Sequence, residues 1–193
     1  MQIRHLIAVS ITLALAPLVA PTFAQSYPAK AIKFVVPFPA GSATDVVGRV
    51  LAEAMGKELG QPIVVDNKSG AQGTIGANEV KGAAADGYTL LVTTSTTQAA
   101  VTSLLKKVPY DPVKDFTPIG KIATTPFVLI VNDKVPATDL KSFIAYVKAN
   151  PGKVRFGQGS SGSWVSGSLF ASMIQGDMQM IPYKGIPPAI TDM

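Results

Sequence analysis

The chain has 193 residues, with 17 Lys and Arg against 12 Asp and Glu, a formal net charge of +5 and no cysteine. Its one histidine is His5, so past the first residues Ser-His-Asp and Cys-His catalysis are excluded, as are the common zinc sites. The positive charge is scattered, Lys106-Lys107 being the one adjacent basic pair, which argues against the clustered basic and aromatic surface of a nucleic-acid binder.

In chain order, Arg4 and His5 precede an apolar run over residues 6–20 that Pro17 interrupts, and Thr22-Phe23-Ala24 follows with small residues. That run falls short of the roughly 20 residues a bilayer span needs. Residues 1–24 are therefore expected to be a secretory signal cleaved after Ala24, with export to a bacterial periplasm. Without a cysteine at the cut, a lipid anchor is excluded.

Residues 32–36 read as a buried strand. From residue 45 to 59, Val46, Val47, Val50, Leu51, Ala54, Met55 and Leu59 recur at the helical period, and Gly60 and Pro62 end the helix. A second strand is predicted at 63–65, a loop at 69–73, a small-residue helix at 75–84 and a third strand at 88–93. Strands alternating with helices imply a parallel sheet with right-handed crossovers. After the rigid connector at 108–112, strands are predicted at 116–122 and 127–131, and an amphipathic helix at 140–149. A strand at 154–156, a small-residue loop at 157–163, a helix at 169–174 and a strand at 178–181 complete the order. Residues 187–193 look like the first two turns of a helix, and the sequence is expected to be a fragment or a truncated product. The division expected is a signal at 1–24, one lobe at 25–115 and a second, partial lobe at 116–193.

Three predicted strand-to-helix corners share one chemistry, at residues 38–45, 94–98 and 157–164. Each is rich in small and hydroxyl residues, and none contains Lys or Arg. Helix N-termini with free N–H groups favour anions, and open α/β sheets bind ligands outside the carboxyl ends of their strands. Ordinary helix capping explains any one corner equally well. Asp45 either caps its helix or accepts a bond from an amino group of a ligand, and Trp164 is either a lid or core. The run Gly157-Gln158-Gly159-Ser160-Ser161-Gly162 matches the dinucleotide pattern G-x-G-x-x-G. The acidic residue at the expected spacing, Asp177, precedes the next predicted strand instead of ending it. Ser103 and Lys106 form a Ser-x-x-Lys pattern without partner motifs. No catalytic residue, metal site or cofactor is predicted.

Pro37-Phe38-Pro39-Ala40-Gly41-Ser42-Ala43-Thr44-Asp45, Asp86-Gly87-Tyr88-Thr89-Leu90, Pro109-Tyr110-Asp111-Pro112 with Asp115-Phe116, and Pro182-Tyr183-Lys184-Gly185 occur in that order. Together they closely resemble the substrate-binding receptors of tripartite tricarboxylate transporters, also called Bug receptors, over essentially the whole chain after the signal. The resemblance implies an α/β, type II periplasmic-binding-protein-like fold. Its two lobes each carry a mainly parallel sheet flanked by helices, and the second lobe would be incomplete here.

It also implies a monomer without catalysis that closes on a small carboxylated solute and presents it to integral-membrane permease subunits. Di- and tricarboxylates, acidic amino acids and aromatic acids are the candidate solutes. The residues implied for binding are Phe38, Ala40, Gly41, Ser42, Ala43, Thr44 and Asp45 in the first corner and Ser95, Thr96, Thr97 and Gln98 in the second. From the second lobe come Ser160, Ser161, Gly162, Ser163 and Trp164, with Tyr183 near the cleft. Three departures stand out: Gly41-Ser42 where relatives commonly have Gly-Gly, Trp164 where they often have histidine, and the early end of the chain. A non-functional truncated remnant, or an enzyme on a similar fold, is the alternative. Gly41→Val is expected to crowd the first corner.

Overall fold

A computed structural model of the protein describes residues 26–193; the expected signal lies outside them. β1 (Ile32–Val36) is the centre of a three-stranded sheet, flanked by β2 (Ile63–Asn67) and β3 (Thr89–Leu91) in the order β2-β1-β3, with both pairings parallel. The register sets Phe34 between Val65 and Leu90. A central parallel strand is covered on both faces, so it reads as a continuous apolar run and not as an alternation. Accordingly Phe34 is 2 % exposed and Val35 and Val36 are 0 % exposed.

α1 (Ala43–Leu59) makes the crossover from β1 to β2. Its Ala52 joins Ile32, Phe34, Val36, Phe38 and Val92 in one buried cluster, with Leu51, Met55 and Leu59 packed against it. Burial of a side chain such as Phe34 stabilises by about 2–3 kcal/mol. The helix stops at Gly60, whose φ of 66° is the left-handed conformation that terminates helices. α2 (Thr74–Lys81) and the short α3 (Val101–Leu104) contribute Ala77 and Val101 to a second cluster with Tyr110.

In the second unit α4 (Leu140–Ala149) leads to β4 (Val154–Gln158), α5 (Ser161–Met173), β5 (Met178–Pro182) and α6 (Ile186–Thr191). β4 and β5 pair in parallel, from Val154 opposite Met178 to Gln158 opposite Pro182. Phe143, Val147, Val154 and Ile174 form the buried core, and the Phe143 and Phe170 rings stack with centroids 6.1 Å apart. The protein is thus α/β, with two parallel sheets flanked by helices.

The strands predicted at 116–122 and 127–131 are not formed. Residues 117–130 have no regular secondary structure and are exposed, with Ile119 at 83 %, Val128 at 81 % and Phe127 at 64 % exposure. Apolar content makes a segment fit to be a strand, but only backbone pairing makes it one, and no described strand lies alongside. Elsewhere the differences are of boundary. α5 begins at Ser161, eight residues before its predicted start, because a serine pair caps it there. Among the described residues no helix is long and apolar enough to cross a membrane.

Candidate functional site

The first corner connects β1 to α1. Ser42 caps the helix, its hydroxyl accepting from the Asp45 N–H at 3.3 Å. Asp45 is 2 % exposed. Its carboxylate accepts from the Gly41 N–H at 2.9 Å, from Arg49 Nε at 3.0 Å and from Asn67 Nδ2 at 2.9 Å. Asn67 also donates to the Phe38 carbonyl, at 3.0 Å. Burial alone pushes the Asp45 carboxyl up, but the bonds from Arg49, Gly41 and Asn67 together hold it below the ordinary aspartate value. The N-cap of the helix is Ser42, and the Asp45 carboxylate braces the corner through Gly41, Arg49 and Asn67. The donors that helix geometry leaves without an intrahelical partner are the first-turn N–H groups of Ala43 and Thr44.

The second corner follows β3. A π-helical turn, Thr96–Ala100, runs into α3. Thr97 is 0 % exposed, and its hydroxyl lies 3.2 Å from that of Thr94 and donates to the Gln72 carbonyl at 3.4 Å. Tyr110 supports the turn from behind, its hydroxyl donating to the Thr97 carbonyl at 3.0 Å, and burial raises its pKa. Gln98 Oε1 and Thr93 Oγ1 are buried without a hydrogen-bond partner among the described residues. Ser95 is exposed.

The third corner joins β4 to α5 through a capping box. The Ser160 hydroxyl accepts from the Ser163 N–H at 3.2 Å, and the Ser163 hydroxyl accepts from Ser160 and Gly159 N–H groups, each at 3.0 Å. Ser161 is 0 % exposed and Trp164 half-buried. Glycine is required at 159 because a Cβ there would lie 2.3 Å from the Gly185 carbonyl carbon, with backbone against backbone.

Between the units lies a cavity of about 280 Å³, lined by Pro37, Phe38, Gly70, Ala71, Gln72 and Gly73 from the first and by Gly159, Pro182, Tyr183 and Lys184 from the second. Its walls follow β1, β2, β4 and β5, the carboxyl ends where open α/β sheets receive ligands. A wider depression of about 560 Å³ between α1 and β2, lined by Ala52, Lys57, Pro62 and Ile63 among others, opens at the amino end of β2 and lacks that logic. Of the predicted residues, Phe38 and Tyr183 line the cavity, and Ser161 meets it through a bond of its hydroxyl to Gln72 Oε1 at 3.4 Å. Ala40, Gly41 and Ala43 are exposed and Thr44 half-buried; none of these four is a lining residue. Gln98, Gly162, Ser163 and Trp164 also lie outside the lining.

The loop at 70–73 is absent from the predicted site, although its signal was present. Gly70-Ala71-Gln72-Gly73 follows a strand and precedes a helix, as the other three corners do. Among the described residues no three acidic side chains gather into a metal-binding group.

Comparison with known proteins assigns the chain. Residues 47–193 match the family described as tripartite tricarboxylate transporter family receptor. The chain belongs to that receptor family. It is 42 % identical to Protein BugT of Bordetella pertussis, over 98 % of this chain and 59 % of the relative. Among solved structures it is similar to a periplasmic transporter, with 44 % identity and a TM-score of 0.83 over 86 % of this chain and 57 % of that one. It is also similar to MatC from Rhodopseudomonas palustris with bound malate, at 35 % identity and a TM-score of 0.79, over 86 % of this chain and 57 % of the other. R. palustris Rpa4515 with adipate gives 35 % and 0.82, over 86 % and 56 %. The chain thus spans under two thirds of the length of these receptors.

Much of what made the receptor motifs recognisable is scaffolding. In Asp86-Gly87-Tyr88, Asp86 Oδ1 accepts from the Tyr88 N–H at 3.0 Å, and the Tyr88 hydroxyl accepts from the Ala29 N–H at 2.8 Å. In Pro109-Tyr110-Asp111-Pro112, Asp111 accepts from the N–H groups of Val113 and Lys114, while Tyr110 bears on the second corner. Only the corner motif of β1 and Pro182-Tyr183-Lys184-Gly185 reach the cavity itself. There the Tyr183 hydroxyl donates to Asp192, which raises its pKa.

Proposed function

We propose that the protein captures a small carboxylated solute in the cavity between its units and delivers it to the membrane permease subunits of a tripartite tricarboxylate-type transporter. The observation that carries this reading is the cavity at the carboxyl ends of four strands, two from each sheet, flanked by small-residue corners. Main-chain donors and hydroxyls at such corners bind a carboxylate by charge-assisted hydrogen bonds, about twice as strong as neutral ones. The exposed Lys184 at the wall adds a cation. Candidate contacts are the Gly159 amide, the loop at 70–73 and the Ser161 hydroxyl beside it, with Phe38 and Tyr183 as walls.

The solute is released unchanged, as a receptor's role requires. The receptor acts in the periplasm as a monomer, after removal of residues 1–24. Malate and adipate, the molecules named in the two R. palustris structures, are the first to test. Calorimetric titration of the purified protein with each should give saturable binding, and the acid recovered afterwards should be chemically intact. No heat with either acid, or with citrate, glutamate and benzoate, would remove the proposal.

A further inference from the structure

Resting on that reading of the cavity, we propose that Gln72 clamps it, its carboxamide joining the two units and offering its N–H₂ to an oxygen of the bound solute. Gln72 has φ 61° and ψ 26°, and Ala71 before it has φ 45°. Left-handed backbone is costly for a residue with a Cβ and free for glycine. The neighbouring Gly70 and Gly73 have positive φ as well. At position 72 a long polar side chain sits in a conformation that glycine would take more easily, an observation that points to work done by the side chain.

The geometry shows what that work is. The Gln72 carbonyl is held by the Thr97 hydroxyl at 3.4 Å, which fixes the residue from within the first unit. Its Oε1 accepts from Ser161 Oγ at 3.4 Å, across to the first turn of α5 in the second unit. Ser161 is 0 % exposed, so this contact is made where the units meet and not in open solvent. Gln72 itself lines the cavity, and its amide nitrogen has no acceptor among the described residues. A carboxamide whose oxygen is committed across the gap and whose nitrogen is uncommitted beside it suits an acid oxygen as acceptor.

Two variants test this on the whole chain. Gln72→Gly relieves the backbone, so its melting temperature should be unchanged or higher, while affinity for malate falls by about tenfold, the loss of one hydrogen bond to a charged group. Gln72→Glu keeps an acceptor for Ser161 but sets a negative charge against the acid, and should lower affinity further. Because the chain has no cysteine, spin labels at Lys57→Cys and Lys148→Cys report the distance between units without ligand. The distribution should be narrow with Gln72 present and broader and longer in Gln72→Gly.

Equal malate affinity in wild type and Gln72→Gly, or an unchanged label distance, would overturn the proposal. If wild type binds neither malate nor adipate, the functional reading fails, and the ligand-free distances still decide whether Gln72 joins the units. A lowered melting temperature in Gln72→Gly with intact binding would make the residue structural and also overturn it.

Discussion

Asp45 shows how a single buried carboxylate can set the shape of the corner after β1. It ties the loop amide of Gly41, the α1 side chain of Arg49 and the β2 side chain of Asn67 to one buried point. Asp45→Asn removes the charge that makes those bonds strong, and should cost about 2 kcal/mol at pH 7 in urea denaturation. The pH dependence follows from its lowered folded pKa. The folded state binds the proton less readily than the unfolded chain, so the stabilisation is full above the ordinary value of 3.8 and is lost as pH falls through the folded pKa. The difference between wild type and Asp45→Asn should therefore shrink below about pH 4. Gly41 acts at the same scale. A Cβ there meets no protein atom within 4 Å, and its φ is +80°, so Gly41→Val also strains the backbone. Arg49 was within reach of the sequence as the i+4 partner of Asp45. Asn67 was not, because its place beside the corner depends on the β1–β2 register.

Helices and their caps were legible element by element because their signals are local. Ser42 with Asp45 marks a helix start that the structure keeps. Ser160 with Ser163 starts α5, and Ser160→Ala should lower stability by about 1 kcal/mol. Hydrogen exchange should rise in the first turn of α5 while the amides of α4 keep their protection. Unchanged exchange across α5 would mean that the cap contributes nothing. Parallel strands β1, β2, β4 and β5 were legible for another reason: each is an apolar run bounded by breakers. Residues 116–131 carry the same pattern and form no strand, since pairing depends on a neighbour that no local reading supplies. The loop at 70–73 shared the strand–loop–helix order of the recognised corners. Its glycine and left-handed turn looked like punctuation, which hid its place at the cavity.

For the whole molecule, the distribution of apolar surface decides behaviour in solution. The first unit buries its central strand β1, while Phe127, Val128, Leu129 and Ile130 are exposed in the segment before α4 and Leu169 and Met173 are exposed on α5. Contiguous apolar surface of this kind promotes association. The 193-residue chain alone should bind a hydrophobic dye at neutral pH and lose solubility on warming, with a broad melt. A sharp, reversible transition without dye binding would contradict this. The meeting of the units has its own outcome. Gly185 faces Pro39 so closely that a Cβ would come within 2.5 Å of the proline ring, which sets a bare backbone against a stiff apolar one. A side chain at 185 would have to push the Pro39 ring aside, so Gly185→Ala should prise the units apart at this point.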